Sequence, residues 1–297
     1  MASFDKIIIL GHTGFFGQAL YSHFLEQSKV PTLGFSSATV NLMHPSSLKK
    51  IEQEISERSV LILCSAITRE KNDTLEAFEM NTKMVANVAA FLEAHPVKKC
   101  VYFSSISVYG DAKTDLAINE ETGVNPDSFY ALAKFAGEFI IRRSAIKSNF
   151  PLLILRAGHV YGPGDTHATY GPMKFIRTLL DEKTVYLFDQ GDDLRDRLYI
   201  DDMVLLTQKL VESPANGIFN LVTGKSESFW EVVERLKEIV PFSFKIVHRL
   251  RKKPLIHQKF DVKKLSQFAP GFRFSDPKEA LKITYEAFAS AAMSKVV

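Results

Sequence analysis

Short apolar runs alternate with longer amphipathic ones along most of the chain, a pattern that predicts a parallel sheet with helices on both faces. The runs Lys6–Leu10, Thr32–Phe35, Val60–Cys64, Lys99–Phe103, Leu152–Leu155 and Ile218–Leu221 read as strands. Helical patterns lie between them at Phe15–Gln27, Ser46–Ser56, Thr74–His95, Tyr130–Ser148 and Asp201–Val211. In the third of these, Leu75, Phe78, Val85, Val88 and Leu92 recur on one face, so that helix is expected to pack on the sheet. After Leu155 the alternation loosens, and Tyr161-Gly162-Pro163-Gly164 and Gly171-Pro172 mark turns. The expected fold class is α/β, a doubly wound parallel sheet over 1–160 and 191–221. A smaller, discontinuous C-terminal lobe takes 161–190 and 222–297.

Composition narrows the functional classes. The chain has 297 residues, 46% of them hydrophobic, which is enough for a sizeable core. Its net charge of +3 is spread among mixed signs and gives no reason to expect nucleic acid or a membrane surface as partner. The one basic run, His248-Arg249-Leu250-Arg251-Lys252-Lys253, reads either as a solvated face or as an anion site. No stretch approaches the roughly 18 apolar residues that span a bilayer. From Met1 the chain passes directly to Ile7-Ile8-Ile9-Leu10 without the pattern of a signal peptide, so a cytoplasmic protein is expected. Cys64 and Cys100 sit in apolar runs and read as buried free thiols. The eight histidines do not pair at ligand spacing beside a carboxylate, and no metal is expected.

Candidate chemistry begins where the first strand runs into Gly11-His12-Thr13-Gly14-Phe15-Phe16-Gly17. A pyrophosphate needs close backbone approach and a helix N-terminus aimed at it, and glycines between a first strand and a first helix meet both needs. The loop therefore predicts a Rossmann-type dinucleotide site with Gly11, Thr13, Gly14, Phe15, Phe16 and Gly17 at the cofactor. Ser65 and Ala66, directly after the third strand, join that set. The second strand ends in Leu33-Gly34-Phe35-Ser36-Ser37-Ala38, without the acid that accepts hydrogen bonds from an adenosine ribose. Ser36 offers a donor to a 2′-phosphate, which leans towards NADP and leaves NAD open.

Val101-Tyr102-Phe103-Ser104-Ser105 leaves a strand at the carboxyl edge of the sheet, and Tyr130-Ala131-Leu132-Ala133-Lys134 follows downstream. Residues four apart share a helix face, so the Tyr130 phenol and the Lys134 ammonium can point at one place. A neighbouring ammonium favours the phenolate, which suits Tyr130 as acid or base on a substrate hydroxyl during hydride chemistry. Ser105 would hydrogen-bond the same oxygen.

Taken together, these motifs resemble the extended short-chain dehydrogenase/reductases, the NAD-dependent epimerase/dehydratase family. The resemblance runs through Gly11–Gly17, Asn81, Phe103 through Gly110, Tyr130 through Lys134, Arg156 through Gly164 and Arg195 through Asp202. It implies a sugar-nucleotide epimerase or ketoreductase with Ser105, Tyr130 and Lys134 catalytic and Asn81 on the cofactor side. Arg195 and Arg251 are implied as the arginines that meet the substrate diphosphate. A homodimer through the helices beginning near Thr74 and Tyr130 is implied as well. Ile106 and Ser107 stand where the family's dehydratases carry acids, which disfavours dehydration. His159 replaces an asparagine near the sugar, as a second proton donor or as a packing residue. The other readings are a reductase of a non-sugar carbonyl and a non-catalytic NAD(P)-binding regulatory protein.

Overall fold

The computed structural model describes residues 4–110, 115–166, 171–252 and 254–293. Its first half contains β1 (Lys6–Leu10), α1 (Phe15–Gln27), β2 (Thr32–Phe35), β3 (Ser59–Leu63), α2 (Leu75–Ala94) and β4 (Lys99–Ser105). Then come β5 (Asp115–Ile118), α3 (Phe129–Ser148), β6 (Leu152–Ala157), β7 (His159–Tyr161) and α4 (Gly171–Glu182). These lead to β8 (Thr184–Phe188), β9 (Leu194–Tyr199), α5 (Ile200–Glu212) and β10 (Gly217–Leu221). The last elements are β11 (Ser226–Ser228), α6 (Phe229–Ile239), β12 (Lys245–Arg249), β13 (Gln258–Phe260), α7 (Lys263–Phe268) and α8 (Pro277–Met293).

Six strands pair in parallel in the order β10-β6-β4-β3-β1-β2. Because side chains alternate across a strand, each strand feeds two apolar layers. Ile7, Ile9, Val60, Ile62, Val101 and Phe103 pack on the face that holds Leu20 and Phe24 of α1 and Met203, Leu206 and Leu210 of α5. Ile8, Leu10, Leu61, Leu63, Cys100 and Tyr102 face the other way, against Val85, Val88 and Leu92 of α2 and Ile141 of α3. Each such fully buried side chain contributes about 1.5–3 kcal/mol. The strand order reverses beside β1, which opens a crevice at the carboxyl ends of β1 and β3. Among the described residues no helix is long and apolar enough to cross a membrane.

Several expectations change. The helix predicted over Ser46–Ser56 is a single 3₁₀ segment, Pro45–Ile51, whose buried residues Leu48 and Ile51 are three apart and anchor only one short turn. Leu75 is exposed at the start of α2, and the buried face runs instead through Ala77, Asn81, Val85, Val88, Ala89 and Leu92. Gly171-Pro172 opens α4, proline being well suited to a first helical turn where its missing N–H leaves nothing unsatisfied. Lys99 is buried at the start of β4, and its ammonium donates to the carbonyls of Leu210 (3.0 Å), Val211 (3.0 Å) and Ser213 (2.6 Å). It thereby satisfies the C-terminal end of α5, which a cation also favours through the helix dipole.

Candidate active site

The carboxyl edge of the sheet opens into a cleft of about 840 Å³. Thr13, Gly14, Phe15, Phe16 and Gly17 line one end of it, together with Ala66. Gly11 turns the chain out of β1 with φ +94°, and a Cβ there would come within 2.7 Å of the Ser65 Oγ. Ser65 therefore packs behind the loop, and neither it nor Gly11 is on the cleft wall. A Cβ at Gly17 would strike the Gly11 carbonyl, so the glycine lets α1 close onto the loop. Gly14 is the N-cap of α1, which has no side-chain cap and no acid in its first turn. A positive helix end free of competing carboxylates, facing a cleft, fits a pyrophosphate.

The catalytic candidates come together at the next position along the edge. Ser128 caps α3 by accepting the Ala131 N–H at 3.2 Å, and Asp73 accepts the Tyr130 N–H at 2.9 Å. With the helix start pinned, Tyr130 and Lys134 line the cleft with Ser105, the last residue of β4. The Ser105 Oγ accepts the Ser107 N–H at 3.1 Å and lies 3.2 Å from the Ser107 Oγ. The Lys134 ammonium donates to the Phe103 carbonyl at 2.7 Å and stands 5.7 Å from the centre of the Tyr130 ring. Burial pushes its pKa down to about 8. One turn on, a Cβ at Gly137 would collide with the Tyr102 hydroxyl, so α3 lies close against β4.

Below these groups runs a buried polar network that sequence reasoning did not resolve. Arg156 of β6 meets Glu138 of α3 with two parallel bonds, Nε to Oε1 at 2.9 Å and Nη2 to Oε2 at 2.7 Å. Ser104 donates to the same carboxylate at 2.5 Å, and Arg156 Nη1 donates to the Tyr109 hydroxyl at 2.8 Å. Tyr109 in turn donates to Asn220 at 2.9 Å. Burial works against the Arg156 charge, yet the bonds and charge of Glu138 outweigh it and hold the guanidinium above its ordinary pKa. The available signal was spacing: Glu138 continues the face of Tyr130 and Lys134 by one more turn.

Other predicted residues are placed differently. Asn81 bonds both backbone groups of Ile67, at 2.8 and 2.9 Å, and so holds the loop after β3 while remaining off the cleft wall. The Ser36 N–H donates to Thr39 Oγ1 at 3.1 Å in the turn after β2, also off that wall. His159 lines the cleft, but burial, then the charges of Arg195 and Arg197, push its pKa down to about 3. That surrounding favours the neutral ring of a packing residue over a charged proton donor.

Arg195 lines the cleft and donates to the carbonyls of Leu194 (2.9 Å) and Ile256 (2.8 Å). Arg251 does not line it. Its Nε meets Asp189 at 2.9 Å and its Nη1 meets Asp193 at 2.5 Å, two carboxylates of the turn between β8 and β9, while its Nη2 is buried without a hydrogen-bond partner. Of the remainder of the basic run, Arg249 stacks 3.9 Å from the Tyr186 ring centre and His248 Nδ1 lies 2.5 Å from the Asp189 carbonyl, while Lys252 is exposed. Lys253 lies outside the described residues. Arg197, which the sequence reading passed over, lines the cleft beside Arg195, and its signal was the two-residue period of a strand.

With this geometry in place, the chain can be set beside known proteins. The profile of the NAD dependent epimerase/dehydratase family matches residues 7–221. Among curated proteins, dTDP-D-glucose 4,6-dehydratase of Dictyostelium discoideum is 23% identical over 271 residues, covering 79% of this chain and 62% of that protein. The chain thus spans less than two thirds of that relative's length. Among solved structures, RMD from Pseudomonas aeruginosa complexed with NADPH superposes with a TM-score of 0.84 at 21% identity, over 97% of this chain and 99% of that one. UDP-glucose 4-epimerase of Thermus thermophilus, in complex with NAD, gives 0.82 at 20% identity, over 96% and 99%. The structural likenesses establish the fold, and the profile spans the glycine loop, Ser105, Tyr130, Lys134 and the Glu138–Arg156 pair in one match. The chain belongs to the NAD dependent epimerase/dehydratase family.

Proposed function

We propose that the protein is an NAD(P)-dependent enzyme that oxidises or reduces a ring carbon of a sugar nucleotide. The observation that carries this reading is the convergence of Tyr130, Lys134 and Ser105 on one cleft between the glycine loop and Arg195. The loop from Thr13 to Gly17, with Ala66, would hold the cofactor pyrophosphate. When bound, the nicotinamide supplies or accepts hydride. Tyr130 gives a proton to the substrate oxygen in reduction or takes it in oxidation, while the Lys134 ammonium favours the phenolate and Ser105 hydrogen-bonds that oxygen. Ile106 and Ser107 offer no carboxylate for elimination, so reduction or epimerisation is favoured over dehydration.

Between those two, reduction with NADPH fits better, because Ser36 leaves no carboxylate at the end of β2 to repel a 2′-phosphate. Purified protein given NADPH and a keto-sugar nucleotide should consume the nucleotide's absorbance in step with product. Turnover without net cofactor change would make the protein an epimerase.

The outer side of α3 supports a homodimer. Leu132, Phe139 and Ile146, seven residues apart, are 40%, 57% and 66% exposed and form one apolar stripe. Light scattering should give the mass of two chains, and Phe139→Arg should give the mass of one. A wild-type mass of one chain would remove the dimer from the reading.

A further inference from the structure

We propose that Asp73 is a positioning residue that ties Tyr130 to the loop after β3, so that a dinucleotide seated against that loop also orders the start of α3. This rests on the NAD(P)-dependent reading above and adds to it a link between cofactor binding and the placement of Tyr130.

The loop between β3 and α2 is held at both ends by other parts of the fold. Near its start, Asn81 of α2 bonds both backbone groups of Ile67. The chain then turns, with the N–H groups of Lys71 and Asn72 donating to the Thr68 carbonyl at 3.0 and 3.1 Å. Ala66, Thr68, Arg69 and Asp73 line the cleft together with the glycine loop. The buried Thr68 hydroxyl has no hydrogen-bond partner, which marks this wall as one that a polar ligand completes. At the far end the Asp73 carboxylate bridges two elements. Its Oδ1 accepts the Tyr130 N–H at 2.9 Å, and its Oδ2 lies 3.5 Å from the Arg69 Nε.

Tyr130 is the second residue of α3, and its N–H is one of those that a helix start cannot satisfy internally. Such groups are commonly met by the helix's own cap or by an acid in its first turn. Ser128 does cap the Ala131 N–H, but the first turn of α3 carries no acid, and the negative charge comes from Asp73, 57 residues upstream. A local acid would stabilise the helix equally well. An acid supplied by the cleft-lining loop does more, because neither the loop nor the start of α3 can shift without straining the same bond. Arg69, itself on the cleft wall, holds the second oxygen and extends the link towards the ligand.

Hydrogen-exchange mass spectrometry of the full chain, with and without NADPH, tests the link. In wild type NADPH should slow exchange both in the loop at 65–73 and at the helix start, 129–134, the latter by roughly tenfold, the strength of one charge-assisted bond. Asp73→Ala should bind NADPH within about threefold of wild type and keep its loop protected, while slowing at 129–134 falls to about threefold or less. Asp73→Asn keeps an acceptor for the Tyr130 N–H, so most of the slowing should return. Asp73→Ala with Phe129→Asp restores an acid to that helix end without the tether, and should lose the slowing just as Asp73→Ala does. Ser128→Ala removes a cap bond from the same end without touching the loop, and should stay within about twofold of wild type. Slowing as large as wild type in either variant that carries Asp73→Ala overturns the link. So does a loss in Ser128→Ala as large as that in Asp73→Ala, since Asp73 would then be an end cap only. If neither NADPH nor NADH binds wild-type protein, the NAD(P)-dependent reading falls and the link with it, whereas the first two results strike the link alone.

Discussion

Glu138→Ala should lower the melting temperature by roughly 5–10 °C. The carboxylate and the Arg156 guanidinium are 4% and 3% exposed, and their two parallel bonds lie under the proposed catalytic residues. Truncating one partner leaves a buried charge with two unmet donors, a loss of about 3–5 kcal/mol. In a domain of this size each kcal/mol moves the melting point by about 2 °C. The comparison that isolates the pair is Glu138→Met with Arg156→Met, which removes both charges and should cost much less than the single truncation. Calorimetric melting of the three proteins decides the matter. If the double variant falls as far as Glu138→Ala, the loss comes from packing and the ion pair is not its source.

Tyr130→Phe should reduce kcat by about 10²- to 10⁴-fold, the usual contribution of a positioned acid or base. The phenyl ring fills the same place on α3, so NADPH affinity should remain within about threefold. A fall in kcat below tenfold would take Tyr130 out of the proton path. The wild-type rate carries a second signature. Burial pushes the Lys134 pKa down to about 8, so its ammonium is present below that pH and is lost as the pH rises through it. The support it gives to the Tyr130 phenolate goes with it, and activity should fall on the alkaline side near pH 8. A flat profile to pH 10 would count against Lys134 as the cation that matters.

The central sheet was legible because its inner strands are buried on both faces and so carry continuous apolar runs, such as Val60–Leu63 and Leu152–Leu155. The glycine loop and the Tyr130–Lys134 spacing were legible because backbone approach and helical period each demand particular residues at particular intervals. Short strands such as His159–Tyr161 and Ser226–Ser228 span three residues each, too few to show a period. Arg251 lies off the cleft wall, paired with Asp189 and Asp193, a fold-back contact that sequence position cannot show. Asn81 keeps its helix, but its amide reads the backbone of Ile67, a long-range pairing with no local signature.

Gly137 bears on how such a site can diverge. No side chain fits between α3 and the Tyr102 hydroxyl, so helix and strand are spaced by the Tyr102 ring lying against the bare helix at Gly137. The helix that carries Tyr130 is thus referenced to a packed floor. The β7–β9 wall, which carries His159, Arg195 and Arg197, is a separate piece of backbone. Residues on that wall can be exchanged to suit another substrate while Tyr130 stays where it is, so selectivity and chemistry are free to evolve apart.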